Sequence, residues 1–589
     1  MPGTVEPSSP PAPPGWPRAA RPLTIAILGW ARLSFQAREG SGYNLSASEL
    51  AAGLALSGHR VSYLRSGMDY SLLGRPHTRP AEVWRGVACH DLFNSRNLSP
   101  ASSNFRNMTA EMSSPAETRV VLDWLEAIGA QVVHIHSLEG YGLDLIGAIR
   151  DRGIPVVVTP HNYWYVCPQV DLLHEESRVC EDYRGGARCV GCLHASEPGR
   201  ARSRRAIEQT MHRLVGPFWA HTLRQVYTHT KATLRSLVVR RRARGSPPAL
   251  APSDPELALG FDVRDGSRHS GRVYHALPAG HEPPPGLGVS PIDQNERFLA
   301  ATHHLEVLNE YGRRRTAGVE CLNRASLVTP PSEFLLDVMR TMGVAGARLR
   351  HVRLGQPHFD QINRRTRRSP FYDARPWDPS SSRPLRFGFL GTTRNNKGLD
   401  VLVRAISMLD KAARQRCHFL IRAAGHDWPF RRRLASFPEV SFGGGYDTLS
   451  LIPLMDEFDV GILPHVWFEN SPLVLLEFLH AGKFVISSRL GGPPEWIVEP
   501  RDGRTGNGLL FPGGDPAELA QRITRVVRGE ITLPSPREVH SVSTLRSYPE
   551  HVAEFETIYR GLVDGPAPPI VTVNGSARLV RSPSPARSA

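Results

Sequence analysis

The sequence is most restrictive in what it lacks. No apolar run approaches the roughly 20 residues that a membrane-crossing helix needs, so no helical span is expected. The first 22 residues are rich in proline and alanine but lack the apolar core of a signal peptide, so the expected location is the cytoplasm. Only seven of 589 residues are cysteine. That is too few for a disulfide scaffold and fits a reducing compartment. There is no Asp-x-Asp pair, and no loop has the G-x-x-x-x-G-K-[ST] order of a phosphate-binding P-loop. With no such carboxylate pair to chelate a metal–diphosphate complex, no catalytic metal is expected. Fixed-period repeats are absent apart from two similar halves.

Acidic residues are outnumbered. Lys and Arg total 71 against 56 Asp and Glu, giving a net charge of +15 and a pI near 9.8. This balance favours anionic partners such as nucleotides or a phospholipid surface. Much of the charge lies in clusters at Arg200–Arg205, Arg240–Arg244, Arg313–Arg315, Arg364–Arg368 and Arg431–Arg433, which read as solvated surface. These clusters lack the interleaved aromatics of a nucleic-acid module, so no nucleic-acid partner is expected.

What the chain does have is a repeated strand–loop–helix pattern. "LTIAILG" (Leu23–Gly29) reads as a buried strand, "REGSGYN" as a glycine loop with Gly40 and Gly42, and about 45–57 as a helix stopped by Gly58. "RVSYLR", "QVVHIHS", "IPVVVTPHN", "SLVTPPSEF" and "RHVRLG" continue this half. "PLRFGFLG" (Pro384–Gly391) restarts the pattern. It is followed by the loop "TTRNNKG", a helix from Leu399, and strands in "CHFLIRAAG", "DVGILPH" and "KFVISS". Alternating strands and helices imply parallel sheets covered on both faces, hence two Rossmann-like domains. The expected division is a tail at 1–21, a first domain at 22–355 with an insertion at about 198–300, and a linker at 356–383. A second domain follows at 384–530, then a helical segment at 531–564 and a tail at 565–589.

The second half carries most of the chemistry. "HVWFENSPLVLLEFLHAG" (His465–Gly482) holds Glu469 and Glu477 on either side of a Ser-Pro step. Ser471 reads as N-cap and Pro472 as the first helical residue, with the helix running to about Ala481. The free N–H groups of Leu473, Val474 and Leu475 would then form an anion site flanked by two carboxylates. That suits a ligand that is part phosphate and part polyol. Lys397 and Arg394 in "GTTRNNKG" can neutralise a diphosphate. A polar Glu477 inside "LVLLEFL" is poorly explained as a surface helix residue.

In the first half, Gly40 and Gly42 let backbone approach a ligand closely. His161 stands just past a strand end, where it can donate to a sugar hydroxyl or a developing charge, or serve a structural role. Cys167, Cys180, Cys189 and Cys192 form the one cysteine cluster, and His174 and His194 lie nearby. Four thiolates could bind a structural zinc ion tetrahedrally, although spacings of 12 and 8 match no standard module; reduced thiols or a redox pair are the other readings.

These segments together resemble the family 4 glycosyltransferases, which have the GT-B fold. "ENSPLVLLEFLHAGKFVISSRLGGPPEWI" is similar to their Glu-x7-Glu segment, "LGTTRNNKGLDVLVRAI" to their phosphate loop, and "GSGYNLSASELAAGLALSGHRVSYL" to their glycine loop and first helix. "VVVTPHNYWYVCPQ" resembles the segment bearing their donor-site histidine, and "NRASLVTPPSEFLLDVM" the end of their first domain. The resemblance spans roughly 22–195 and 320–530. It implies two domains facing a cleft and a retaining transfer from a nucleotide-sugar donor to a carbohydrate or lipid-linked hydroxyl acceptor, in surface polysaccharide or glycolipid synthesis. By the same resemblance Glu469 meets the transferred sugar, Glu477 the ribose, Lys397 the diphosphate and His161 the sugar, while Gly40 and Gly42 shape the acceptor-side loop near the phosphates. Thr392 stands where the family usually has Arg, and Arg394 is the nearest substitute. The alternatives are a sugar-nucleotide epimerase of the same fold and a non-catalytic, membrane-associated scaffold. The basic stretch from Phe218 to Gly245 could lie on an anionic membrane surface, or pack within the insertion.

Overall fold

The computed structural model describes residues 16, 18–34, 42–72, 74–193, 195, 197–216, 294–300 and 307–565. Its first sheet is built round "TIAILG", whose residues are all buried and whose apolar run suits a strand covered on both faces. The strand order is His77–Trp84, Val87–Phe93, Arg60–Asp69, Thr24–Gly29, Val132–Ile135, Val156–Val158, Leu327–Val328. All pairings are parallel except the first, a hairpin on the sheet edge. The second sheet runs Val440–Gly443, Cys417–Ala424, Leu385–Thr392, Val460–Leu463, Phe484–Ser488, Gly508–Phe511, parallel throughout.

With the edge hairpin strand left out, each sheet has its strands in the order 3-2-1-4-5-6. This is the doubly wound order, which places a ligand crevice where the winding reverses. In the second sheet that crevice lies beyond Thr392 and Leu463. In the first it lies beyond Gly29 and Ile135. The α/β fold with two Rossmann-like domains is therefore the observed one.

The last helix, Tyr548–Asp564, crosses back onto the first domain. Tyr548, Val552, Phe555, Ile558 and Tyr559 are buried against Leu50, Leu54 and Ile25. At about 1.5–3 kcal/mol for each large apolar side chain removed from water, this helix is firmly held. Tyr548 donates to the carbonyl of Glu49 at 2.6 Å.

Several expectations are corrected. The part of the N-terminal tail that is described is packed: Trp16 stacks near Tyr548 and donates to Ser57 at 3.0 Å, and the Ala19 N–H reaches the Ser57 carbonyl at 2.9 Å. The first helix is Gly42–Leu56, so Gly42 opens the helix instead of lying in the loop before it. "RHVRLG" forms no strand; the one isolated bridge nearby, Val328 with Leu349, lies just before it. The span 356–383 opens with a helix, Pro357–Arg367, begun by Pro at its first turn. Arg314 is not solvated. It is fully buried, with its Nε 2.6 Å from Glu111 Oε2, a donation to the Tyr165 carbonyl at 2.9 Å, and the Trp164 ring 4.3 Å away. At the C-terminal side of the insertion, the helix Gln294–Ala300 docks by Asn295 on Gly491 and by Phe298 on Phe468. The Phe218–Gly245 stretch and Gly40 lie outside the described residues.

Candidate active site

The loops at the second crevice bring the expected residues together. After Leu385–Thr392 the chain makes a short 3-10 turn, Asn395–Lys397, and then takes a left-handed conformation at Gly398 (φ 70°) before the helix Leu399–Met408. A Cβ on Gly398 would sit 1.8 Å from the Pro464 carbonyl oxygen, so only glycine allows the two loops this approach. The approach brings Lys397 Nζ 2.8 Å from Glu469 Oε2. Trp467 donates its Nε1 to the same oxygen at 2.8 Å, and Lys397 lies 5.4 Å from the Trp467 ring centre. Burial pushes the Glu469 carboxyl up, but Lys397 and His465 outweigh it and hold it below the ordinary range. The Glu469 carbonyl is fixed by the N–H of Gly492 at 2.7 Å.

Glu477 sits on the buried side of the helix Leu473–His480. One oxygen, Oε1, is 3.0 Å from His358 Nε2; the other, Oε2, is buried with no protein partner. Two corrections apply to this helix start. The N-cap is Pro472, and Ser471 makes no capping bond; its Oγ is buried and unpartnered. The N–H of Leu475 is already spent on the Pro472 carbonyl at 3.1 Å, so Leu473 and Val474 are left as the donors facing outward. Gly42 faces this helix start across the cleft: a Cβ there would lie 3.1 Å from Leu473 Cδ1.

The first domain reaches the same space. His161 is half-buried, stacked on His136 at 5.2 Å, with its Nε2 2.9 Å from His136 Nδ1. Burial pushes its pKa down to about 3, so it is neutral at physiological pH. The His161 carbonyl accepts from Asn470 Nδ2 at 3.1 Å, and Tyr163 donates to the Phe468 carbonyl at 2.8 Å. These bonds tie the histidine loop to the glutamate loop. Sequence reading missed two members of the site. His358 orients Glu477. Asp171 faces Arg394 and Lys397, with Asn396 donating to it at 3.4 Å. Burial lifts the Asp171 pKa to about 6 against those two cations. Neither residue lies in a motif with a spacing signal, because each arrives from a distant part of the chain, His358 from the helix Pro357–Arg367 and Asp171 from a loop.

Cys167, Cys180, Cys189, Cys192 and His174 all line one small cavity beside this loop. His194 lies outside the described residues.

Comparison with known proteins agrees with this geometry. A family model described as "Glycosyl transferases group 1" matches residues 384–528, and one described as "Glycosyl transferase 4-like domain" matches 41–213. The two matches together cover more than half of the chain, which belongs to these two-domain glycosyltransferases. Enzymes of this class move a sugar from a nucleotide-linked donor. A Klebsiella pneumoniae protein, "Uncharacterized 42.6 kDa protein in cps region", is 29% identical over 121 residues, 20% of this chain. That match spans 30% of the Klebsiella protein's length. Among solved structures, Anabaena Alr3699/HepE in complex with UDP is similar over 92% of this chain and 100% of its own, at 10% identity and TM-score 0.48. Sucrose-phosphate synthase (tll1590) from Thermosynechococcus elongatus is similar over 92% of this chain and 99% of its own, at 14% identity and TM-score 0.49.

Proposed function

We propose that the chain transfers a sugar, with retention of configuration, from a nucleoside diphosphate donor to a hydroxyl of a growing surface polysaccharide or glycolipid. The observation that carries this reading is the crevice of the second domain. There a buried, unpartnered carboxylate oxygen (Glu477 Oε2), a lysine–glutamate pair (Lys397–Glu469) and the outward N–H groups of Leu473 and Val474 converge. An orphaned buried acceptor is costly, so it calls for a donor such as a ribose hydroxyl. In the reaction, positive charge builds at the sugar carbon while negative charge grows on the departing diphosphate. Lys397, Arg394 and the helix-start amides stabilise the departing group, and Glu469 lies beside the sugar position. Orientation supplies the remainder.

A thermal-shift panel of UDP-, GDP- and ADP-sugars tests the donor. Product anomer analysis by NMR tests retention, and donor hydrolysis or exchange without acceptor separates transfer from epimerisation. If no nucleotide raises the melting temperature, the reading fails. For the acceptor, the support is the net charge of +15 and the family resemblance. The basic sequence from Phe218 would bring the cleft to a lipid-linked acceptor on the cytoplasmic face of the membrane. Binding to anionic vesicles should fall with salt and in the Arg240, Arg241, Arg242→Ser variant. Among the described residues no helix is long and apolar enough to cross a membrane.

A further inference from the structure

Over residues 162–193 the chain makes an irregular excursion whose regular pieces are a two-residue hairpin, Leu173–His174 with Arg178–Val179, and a 3-10 turn, Arg184–Cys189. Its backbone is unusually strained. Val170, Leu172, Glu175, Glu176 and Arg184 all adopt φ between 48° and 76°. Such a non-glycine conformation persists only where its surroundings over-determine it. Leu172 is buried in the first domain's core, but Glu175 and Arg184 are exposed and Glu176 is half-buried.

Four cysteines lie in this excursion. They come from four places in the excursion and line one cavity of about 20 Å³, large enough for a single water-sized ion. Backbone donors are aimed at their sulfurs: the N–H groups of Gln169 and Leu172 point at Cys167 Sγ, and that of Glu175 lies 3.4 Å from Cys192 Sγ. Arg315 enters the same cavity, stacked 3.9 Å from the Tyr183 ring centre, and among the described residues no carboxylate lies within ion-pair distance of it. A half-buried guanidinium surrounded by sulfur needs negative charge. All four cysteines are free of disulfides.

We propose that Cys167, Cys180, Cys189 and Cys192 bind one structural zinc ion as thiolates, with Arg315 offsetting part of the negative charge. Each thiol releases its proton to solvent on binding, and the tetrathiolate centre is doubly negative. As the side chains stand, no three such groups among the described residues grip an ion. Binding asks the four cysteine side chains to turn toward a common centre in the cavity they share. The ion would pin the excursion that carries Tyr163 onto the Phe468 carbonyl and Asp171 against Arg394 and Lys397. It lies outside the reaction itself.

The test uses the full chain purified under reducing conditions. Elemental analysis should find about one zinc per chain. A mercurial thiol reagent should release it to a colorimetric chelator, and cobalt(II) exchanged into the site should show the spectrum of tetrahedral thiolate ligation. Cys189→Ser should lose the metal, His174→Ala should keep it, and Arg315→Gln should weaken retention against a chelator by about ten-fold. The wild-type metal and cobalt readings stand even if Cys189→Ser fails to fold. Protein that takes up neither zinc nor cobalt after reduction, or whose four thiols are found paired as disulfides, overturns the proposal.

Discussion

Replacing Lys397 with Met tests whether the Lys397–Glu469 pair is built before any donor binds. Glu469 is only 8% exposed and has Lys397 Nζ and Trp467 Nε1 on one oxygen, each at 2.8 Å. Removing one partner of a fully buried pair costs about 3–5 kcal/mol. The Lys397 side chain is 33% exposed, so water recovers part of that, and about 1–3 kcal/mol is expected. The pH dependence has a definite sign. In the parent, Glu469 is held below its ordinary value, so its contribution is present above the unfolded pKa and is lost as pH falls through the lower folded value. In the Lys397→Met variant burial is opposed only by His465 and Trp467. The folded pKa then rises, and once it exceeds the unfolded value the variant loses stability as pH climbs between the two. Urea denaturation of Lys397→Met, Glu469→Gln and the double variant, at several pH values, gives the coupling directly. A coupling below about 0.5 kcal/mol with parallel pH profiles would show the two charges to be independent and would refute this account.

Glu477→Gln should weaken nucleotide binding by about ten-fold or more, since a charge-assisted hydrogen bond is worth about 1.5–3 kcal/mol; calorimetric titration with UDP, GDP and ADP checks it. Gly398→Ala should lower the melting temperature and abolish donor binding together, because its Cβ would meet the Pro464 carbonyl and its φ is positive; a fully active, equally stable variant would contradict the loop contact. Asp171 has a folded pKa raised to about 6, so in the parent folding takes up a proton between the ordinary carboxyl value and that one, and stability falls as pH rises through this window. Asp171→Asn should flatten that slope in denaturation curves measured from pH 4 to 7. Arg314→Met should destabilise by about 3–5 kcal/mol, because it strands Glu111 in the core; denaturant midpoints measure it.

The parallel sheets were legible because their strands are buried on both faces and so appear as continuous apolar runs, as in "TIAILG" and "KFVISS". His77–Trp84 was not legible. It lies at a sheet edge, half exposed, with Pro80 and charged residues breaking the alternation. Lys397, Glu469 and Glu477 could be picked out because local grammar, a strand, a glycine turn and a proline-started helix, places them at strand ends. His358 and Asp171 could not, since their approach depends on how a distant helix and a distant loop pack onto the site. Arg314 shows the same limit from the other side: three consecutive arginines look like solvated surface, and only the fold shows that the middle one faces Glu111 and Trp164.

Ser471 shows why a locally correct rule can be overridden at a functional position. Ser before Pro is a good capping signal, and capping would satisfy one orphan amide at the helix start. Here the hydroxyl is turned away into a buried position without a partner, and the Leu473 and Val474 amides are left uncapped. An unmade cap costs about 1 kcal/mol, and an unsatisfied buried hydroxyl adds to it. A purely structural helix would gain by closing that bond. On the proposed function, a helix start that presents open amides to a diphosphate forgoes that bond until the ligand arrives, and nearby Lys397 and Arg394 would supply positive charge for it.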